Sequence, residues 1–335
     1  MPPIKSAINL QELPKFRDGL SYLYLEHARI EQDALSIAAI LPDGMIAVPA
    51  ASLGVLMLGP GTTVTHAAIK ALAQNGCSVQ WVGEDHMRFY ASGTGETRSS
   101  AQLMRQAQAW HDPRLHLAVV RRMYAMRFPN KLEPHLTLQQ IRGLEGVRVR
   151  EAYASASKKS GVPWSGRNYQ RTDWKASDPI NRALSAGNAC LYGVAHAAII
   201  SSGYSPGLGF VHTGKQLSFV YDVADLYKMD TVVPAAFEAV SELSDSVERS
   251  VRAKLREHLR STKLLEKIVD DLHSLFQKLE SDFDQFNLGE NDTPEITDTG
   301  NRFDTDASAP GDLWDPEGNV TGGTAYGGDD PREGP

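Results

Sequence analysis

Apolar residues change their spacing once along this chain, and that change decides what it can fold into. Before the Gly/Ser/Thr-rich stretch Ser92–Ser99 (SGTGETRS) they come in short runs; after it they recur every three or four residues. Short runs bounded by turn residues read as strands, and a recurrence near 3.6 buries one face of a helix. Ser21–Leu25, Leu35–Ile40, Met45–Val48 and Val55–Leu58 are the strand-like runs. Leu41-Pro42-Asp43-Gly44 is a hairpin signal, because Gly44 can take positive φ. One helix interrupts. Thr63 or Thr65 can cap it, Ala67, Ile69, Ala71 and Leu72 supply its apolar positions, and Gly76 stops it. Ser78–Val82 and Met87–Ala91 then form a second hairpin about Gly83-Glu84-Asp85. Strands so short and local are expected to pair mostly antiparallel. The expected fold class is α+β: a small β-rich N-terminal domain (1–91), a linker (92–99), an all-α domain (100–287) and an acidic disordered tail (288–335).

The helical pattern covers Ala101–Ala109, Arg114–Phe128, Leu138–Lys159, Pro179–Tyr204, Val220–Asp230 and Thr231–Leu243. Ser246–Glu280 reads as one long amphipathic stretch whose Leu255, Leu259, Leu264, Leu265, Ile268, Leu272 and Leu275 form a core stripe. Beyond it, Gly, Asp, Thr and Pro dominate. Such a tail buries too little apolar surface to offset its ordering entropy. Trp314 and Tyr326 are its candidate docking points.

Charge is unevenly spread. The net charge is −7, but from Leu288 onward 12 acidic residues face two basic ones, a balance of −10. The preceding residues carry 32 basic and 29 acidic side chains, or +3, and positions 101–176 alone carry 14 against five, or +9. An acidic total therefore does not argue against a polyanionic partner, and a basic block in a folded region favours phosphate-rich ones. A solvated helical face is the plainer explanation of the same block. Cys77 and Cys190 are too few for a disulfide scaffold or a four-cysteine zinc site, and both lie in apolar company as small core residues. The opening MPPIKSAINL has no basic segment followed by an apolar one. The apolar stretch around Cys190–Ile200 is interrupted by His196 and falls short of the ~20 residues of a membrane span. A cytoplasmic protein without membrane contact is expected.

No GxxxxGK[ST] loop, GxGxxG turn, GxSxG elbow or HExxH pair occurs. Nucleotide hydrolysis and nicotinamide chemistry are therefore not expected. The segment Gly207-Leu-Gly-Phe-Val-His-Thr-Gly-Lys-Gln-Leu217 runs into Ser218–Asp225 (SFVYDVAD). There Asp222 and Asp225 share one helical face about a turn apart. Two such carboxylates repel unless a cation sits between them or one is protonated. A divalent cation resolves the repulsion: Mg²⁺ takes oxygen ligands, and Mn²⁺ accepts imidazole as well. His212, between Gly-rich flanks, can reach that face. Helix capping or salt bridging by the aspartates, and a structural role for His212, remain open beside this reading. Glu145 stands between Gly143 and Gly146 in an otherwise helical stretch, at a cost of about 1 kcal/mol per glycine. That cost makes sense where something approaches the backbone closely. Arg142, Arg148 and Arg150 surround Glu145, so arginines could hold phosphate oxygens while the carboxylate holds a metal. Plain intrahelical Glu–Arg pairs are the alternative.

Three blocks carry a resemblance: Leu138–Tyr153 (LQQIRGLEGVRVREAY), Asn181–Gly193 (NRALSAGNACLYG) and Gly203–Lys228 (GYSPGLGFVHTGKQLSFVYDVADLYK). They resemble CRISPR-associated protein 1, the endonuclease and integrase of spacer acquisition. Thr231–Glu238 and Leu58–Gly76 resemble its type I-E branch. The likeness spans roughly residues 10–280. It implies a β-rich domain followed by a helical catalytic one, homodimers, and two dimers bridged by dimeric CRISPR-associated protein 2 in a four-to-two assembly. The implied reaction is metal-dependent transesterification with Mg²⁺ or Mn²⁺, in which the 3′-hydroxyl of a captured double-stranded fragment (the prespacer) attacks a phosphodiester at the edge of a CRISPR repeat or leader. Metal ligands would fall on Glu145, His212 and Asp225, with Asp222 a further acidic residue of the same catalytic site. DNA contacts would fall on Arg88, Arg142, Arg150, Arg167 and Lys215, with Tyr192 and Trp174 near the site. His27 stands where close relatives place a fork-wedging tyrosine, Tyr24 lying three residues earlier. A non-catalytic DNA-binding scaffold and a plain metal-dependent DNA nuclease are the other functions compatible with the same residues. The long acidic tail could shield the basic surface until DNA displaces it.

Overall fold

The computed structural model describes residues 4–7, 22–34, 36–94, 99–166, 178–242, 246–279 and 313–315. Strands and one helix come first: β1 (Ile4–Ala7), β2 (Tyr22–Leu25), β3 (Arg29–Asp33), β4 (Ser36–Leu41), β5 (Gly44–Val48), β6 (Val55–Leu58), β7 (Thr63–Val64), α1 (His66–Gln74), β8 (Ser78–Val82) and β9 (Phe89–Gly93). Helices follow: α2 (Ala101–His111), α3 (Pro113–Ala125), α4 (Leu138–Ser160), α5 (Pro179–Ser201), α6 (Ser218–Asp225), α7 (Val232–Ser241), α8 (Val247–Ser261) and α9 (Leu264–Leu275). The fold is α+β, strand-rich first and helical afterwards.

The strands form two sheets, ordered β1-β5-β4-β3-β7 and β2-β6-β8-β9. The hairpin at Leu41–Gly44 is present, with Gly44 at φ 153°. The β8–β9 hairpin is also present. The expectation of mostly antiparallel pairing is corrected. Of the seven pairings among the described residues, β1–β5, β2–β6, β3–β7 and β6–β8 are parallel. Successive strands often leave one sheet for the other, so a strand returns beside an earlier one by a crossover rather than a turn. From β6 to β8 that crossover carries α1. β6 is buried along its whole length, which is why its run Val55-Leu-Met-Leu58 is continuously apolar rather than alternating. Thr65 caps α1 by accepting from Ala68 N at 3.2 Å, and Gly76 takes φ 70° beyond its end.

By compactness the chain divides into two units of three segments each. One comprises Met1–Met104, Tyr192–Tyr204 and Lys263–Ser274; the other comprises Arg105–Leu191, Ser205–Thr262 and Leu275–Pro335. This partition is interleaved, whereas a break at 92–99 is linear: α5 itself contributes to both. The first unit has its core in Ile30, Ile37, Val48, Leu56, Leu58, Ala68, Leu72 and Val79. In the second, Asp112 caps α3 with Pro113 in its first turn, and Thr137 and Gln140 close a capping box on α4. Gly161 at φ 72° ends α4.

Two further expectations change. The stretch 246–280 is two helices, α8 and α9, separated at Lys263 with φ 48°. The stripe residues from Leu255 to Leu275 are nonetheless all buried. The apolar run around Cys190 belongs to a 23-residue helix, long and apolar enough by length and composition to cross a membrane. Two-thirds of its most apolar window is buried inside the chain, as in a core helix. Cys77 and Cys190 are buried free thiols.

Candidate active site

Two corners of the helical unit hold the candidate chemistry. The first is built by the loop before α6 and by α6 itself. Gly209 permits it: a Cβ there would run into the carbonyl of His212 and into Ser218. The loop thus folds tightly onto the start of α6. Asp222, fully buried, accepts from three successive backbone amides: Phe210 at 2.6 Å, Val211 at 3.0 Å and His212 at 2.7 Å. It also accepts from the His212 ring, Nδ1 to Oδ1 at 2.7 Å. A buried carboxylate is costly unless its lone pairs are filled, and here four donors fill them. The ring engages Asp222 through Nδ1, which turns its other nitrogen, Nε2, away from that carboxylate. That nitrogen faces Asp225 Oδ2 at 3.9 Å. Burial opposes ionisation of Asp225, but Lys228, Arg127 and His212 outweigh it and hold the carboxyl below the usual carboxylate range. Lys228 Nζ stands 3.7 Å from Asp225 Oδ1.

The second corner is on α3 and α4. Glu145 is buried and bound by Arg148 through Nε at 2.7 Å and Nη2 at 2.8 Å. Arg127 approaches it from the end of α3, Nη1 to Oε1 at 3.4 Å. The Arg127 side chain is 5% exposed, and its Nε and Nη2 have no hydrogen-bond partner among the described residues. Its guanidinium lies 4.9 Å over the Tyr124 ring. Burial works against its charge, yet Asp225, Tyr124 and Glu145 together raise its pKa. One buried cation therefore feels the carboxylates of both corners.

Several expected placements are altered. The carboxylate pair Asp222 and Asp225 does not face one shared vacancy: Asp222 organises the loop backbone, and Asp225 faces the imidazole. Of the open alternatives, salt bridging is realised at Asp222, with His212, and Glu–Arg pairing at Glu145; Asp222 caps no helix. Among the described residues no three His, Cys, Asp or Glu side chains are grouped so as to hold a metal ion. His212 and Asp225 do come together, and an imidazole fixed by a carboxylate on its far nitrogen is the usual form of a histidine ligand. That pair suits Mg²⁺ or Mn²⁺. Glu145 suits it chemically but is engaged by two arginines. Among the described residues nothing approaches Gly143 closely: a Cβ there would meet nothing within 4 Å.

Arg142 is bound to Asp315, Nη1 to Oδ2 at 2.5 Å, and to the carbonyl of Trp314. Arg150 is exposed on α4, and Lys215 is half-buried in the loop before α6. Arg88 (exposed), Tyr192 (half-buried) and His27 (exposed, φ 52°) belong to the other compact unit. Arg167 and Trp174 lie outside the described residues. Sequence reasoning missed Arg127, one arginine among many in the basic block, and the pairing of Asp315 with Arg142. The lone Trp314 was the signal for the latter.

The helical unit thus carries, in two corners, an imidazole, three buried or half-buried carboxylates and several arginines, the donor types that phosphodiester chemistry uses. The family model described as CRISPR associated protein Cas1 matches residues 122–268. The CRISPR-associated endonuclease Cas1 2 of Thermus thermophilus is 58% identical over 334 residues, covering 100% of this chain and 98% of that protein. The CRISPR-associated endonuclease Cas1 of Escherichia coli K12 is 44% identical over 76% of this chain and 83% of that protein. A crystal structure of a TtCas1–DNA complex superposes with a TM-score of 0.76 at 60% identity, covering 79% of this chain and all of that one. The chain belongs to the Cas1 family of CRISPR-associated proteins, whose named relatives are endonucleases.

Proposed function

We propose that this chain is a metal-dependent DNA integrase of CRISPR adaptation, joining the 3′-hydroxyl of a captured duplex to a phosphodiester at the edge of a CRISPR repeat. The observation that carries the reading is the His212 imidazole, locked through Nδ1 by buried Asp222 and turned through Nε2 toward Asp225. His212 and Asp225 would hold Mg²⁺ or Mn²⁺, with Glu145 joining them by giving up guanidinium contacts. Such an ion lowers the pKa of a bound hydroxyl and stabilises the leaving oxygen. Asp222 fixes the tautomer and direction of the imidazole. Arg142 and Arg150 take phosphate oxygens, and Arg127, with Lys228, favours the ionised form of Asp225. Transesterification exchanges one phosphodiester for another, which agrees with the missing nucleotide-binding loop. The solved complex of a similar protein, TtCas1, with DNA supports DNA as the substrate class. The motif resemblance supports homodimers bridged by CRISPR-associated protein 2.

The test is a joining assay with a labelled 3′-hydroxyl duplex, repeat DNA and either divalent cation. Products longer than either input strand are expected; products only shorter would leave a nuclease. Glu145→Ala, His212→Ala and Asp225→Ala should abolish joining while duplex binding survives. Joining by these variants would sink the assignment.

A further inference from the structure

The helical unit contains a docking site whose occupant is this chain's own Leu313-Trp314-Asp315. Leu313 pairs with His212 as an isolated antiparallel bridge, and Trp314 N donates to the Val211 carbonyl at 2.8 Å. The Trp314 ring stacks on His116 with centroids 4.1 Å apart and planes 20° from parallel. His116 is buried, and both its ring nitrogens contact backbone carbonyls, of Trp110 and Phe210, at 3.0 Å. The Trp314 carbonyl and the Asp315 carboxylate both accept from Arg142. Main-chain pairing sets the register, the indole supplies area and the carboxylate supplies the anion, the three parts of strand-addition recognition.

We propose that residues 313–315 form a displaceable strap that occupies a phosphate subsite at Arg142, so that strap and duplex DNA exclude each other there. This rests on the reading of Arg142 as a phosphate contact. A carboxylate and a phosphodiester present the same paired oxygens to a guanidinium fork. Arg142 already gives two of its nitrogens to the strap, and the bridge to His212 sets the strap against the backbone of a proposed ligand. Displacement is within reach of DNA. The Arg142 and Asp315 side chains are only 17% and 20% exposed, and opening a largely buried ion pair returns both charges to water, which offsets much of the attraction lost. Strap and site belong to one chain, so the competition is intramolecular, at an effective concentration on the order of millimolar, which a duplex bringing several phosphates can overcome.

The experiment uses the full chain and two readings. Trp314 emission, taken as the difference between the wild type and Trp314→Phe, reports docking; anisotropy of a labelled duplex reports DNA affinity. Asp315→Asn should shift the Trp314 signal without DNA, and duplex should shift wild-type emission the same way. Trp314→Ala and Asp315→Asn should each tighten duplex binding about threefold to tenfold, the scale for removing a weak tethered competitor. Asp329→Asn removes the same charge as Asp315→Asn elsewhere in the tail and should change affinity less than twofold. An equal gain from Asp329→Asn, or Trp314 emission indifferent to duplex, overturns the strap. A chain that binds no duplex in any form overturns the DNA reading and the competition with it, while equal affinity in all variants overturns the strap alone.

Discussion

The two corners of the site solve the same problem, a buried carboxylate, in opposite ways. At Asp222 three backbone amides and one imidazole fill the lone pairs, and every donor belongs to a loop only ten to twelve residues away. At Glu145 the charge is met by two long side chains, and Arg127 keeps two nitrogens without partners among the described residues. Backbone amides cannot leave without unfolding the loop. Guanidiniums can swing away. The comparison teaches that Asp222 is framework, while Glu145 is held by side-chain cations that can exchange.

The largest expected effect breaks the framework side. Asp222→Ala leaves three buried amides and an imidazole without their acceptor, and should lower stability by about 3–5 kcal/mol, in the range for removing one partner of a buried charged network. Thermal melting should fall by roughly 5–10 °C. A variant melting like the wild type would show that the loop does not depend on this carboxylate. Glu145→Gln should show the opposite split. Its melting should stay within a few degrees of wild type, because Arg127 retains the charges of Asp225 and Asp222 nearby. Joining should nevertheless fall at least ~10²-fold, about 3 kcal/mol in the barrier. Equal losses of stability in both variants would erase the distinction between the corners.

What was legible follows the same division. The Asp222–Asp225 spacing and the reach of His212 are local, so periodicity and a glycine-flanked loop sufficed to place them together. The partner of Glu145 was half legible: Arg148 lies three residues on, but Arg127 comes from the turn after α3, and nothing in a block of 14 basic residues marks which one turns inward. The β runs were legible as strands, but their parallel partners were not, since pairing across a crossover leaves no local turn signal. The break at Lys263 was hidden because the apolar stripe continues through it. Trp314 stood out as an aromatic in a tail without others nearby, whereas its seat on His116 and Arg142 depends on tertiary placement.

A third prediction keeps pH effects from being misassigned to either corner. His196, in the other compact unit, stacks on Phe89 at 3.8 Å, and burial lowers its pKa to about 4. The unfolded state therefore binds its proton more readily. Its contribution is fully present above about pH 6.5 and is lost as pH falls from there toward 4. The full shift is worth ~3 kcal/mol, and partial exposure reduces that to about 1–2 kcal/mol. Chemical denaturation at pH 7 and pH 4.5 should show this loss in the wild type and a smaller one in His196→Phe. An unchanged loss in that variant would return the pH dependence to groups elsewhere, the two corners included.

The smallest effect sharpens the comparison from outside the buried network. Arg150 is exposed on α4, the helix that carries Glu145 and Arg142. Its charge is no part of either corner's hydrogen bonding, so Arg150→Ala should leave stability within about 0.5 kcal/mol. As a phosphate contact it releases counterions on binding, and its loss should reduce the slope of log affinity against log salt by about 0.9. The weakening should be uniform across duplex sequences, because a backbone contact carries no base information. Anisotropy titrations of two unrelated duplexes between 50 and 200 mM salt, roughly the range over which such slopes are read, provide the measurement. An unchanged slope would remove Arg150 from the DNA path and confine phosphate recognition on α4 to Arg142, where the strap competes for it.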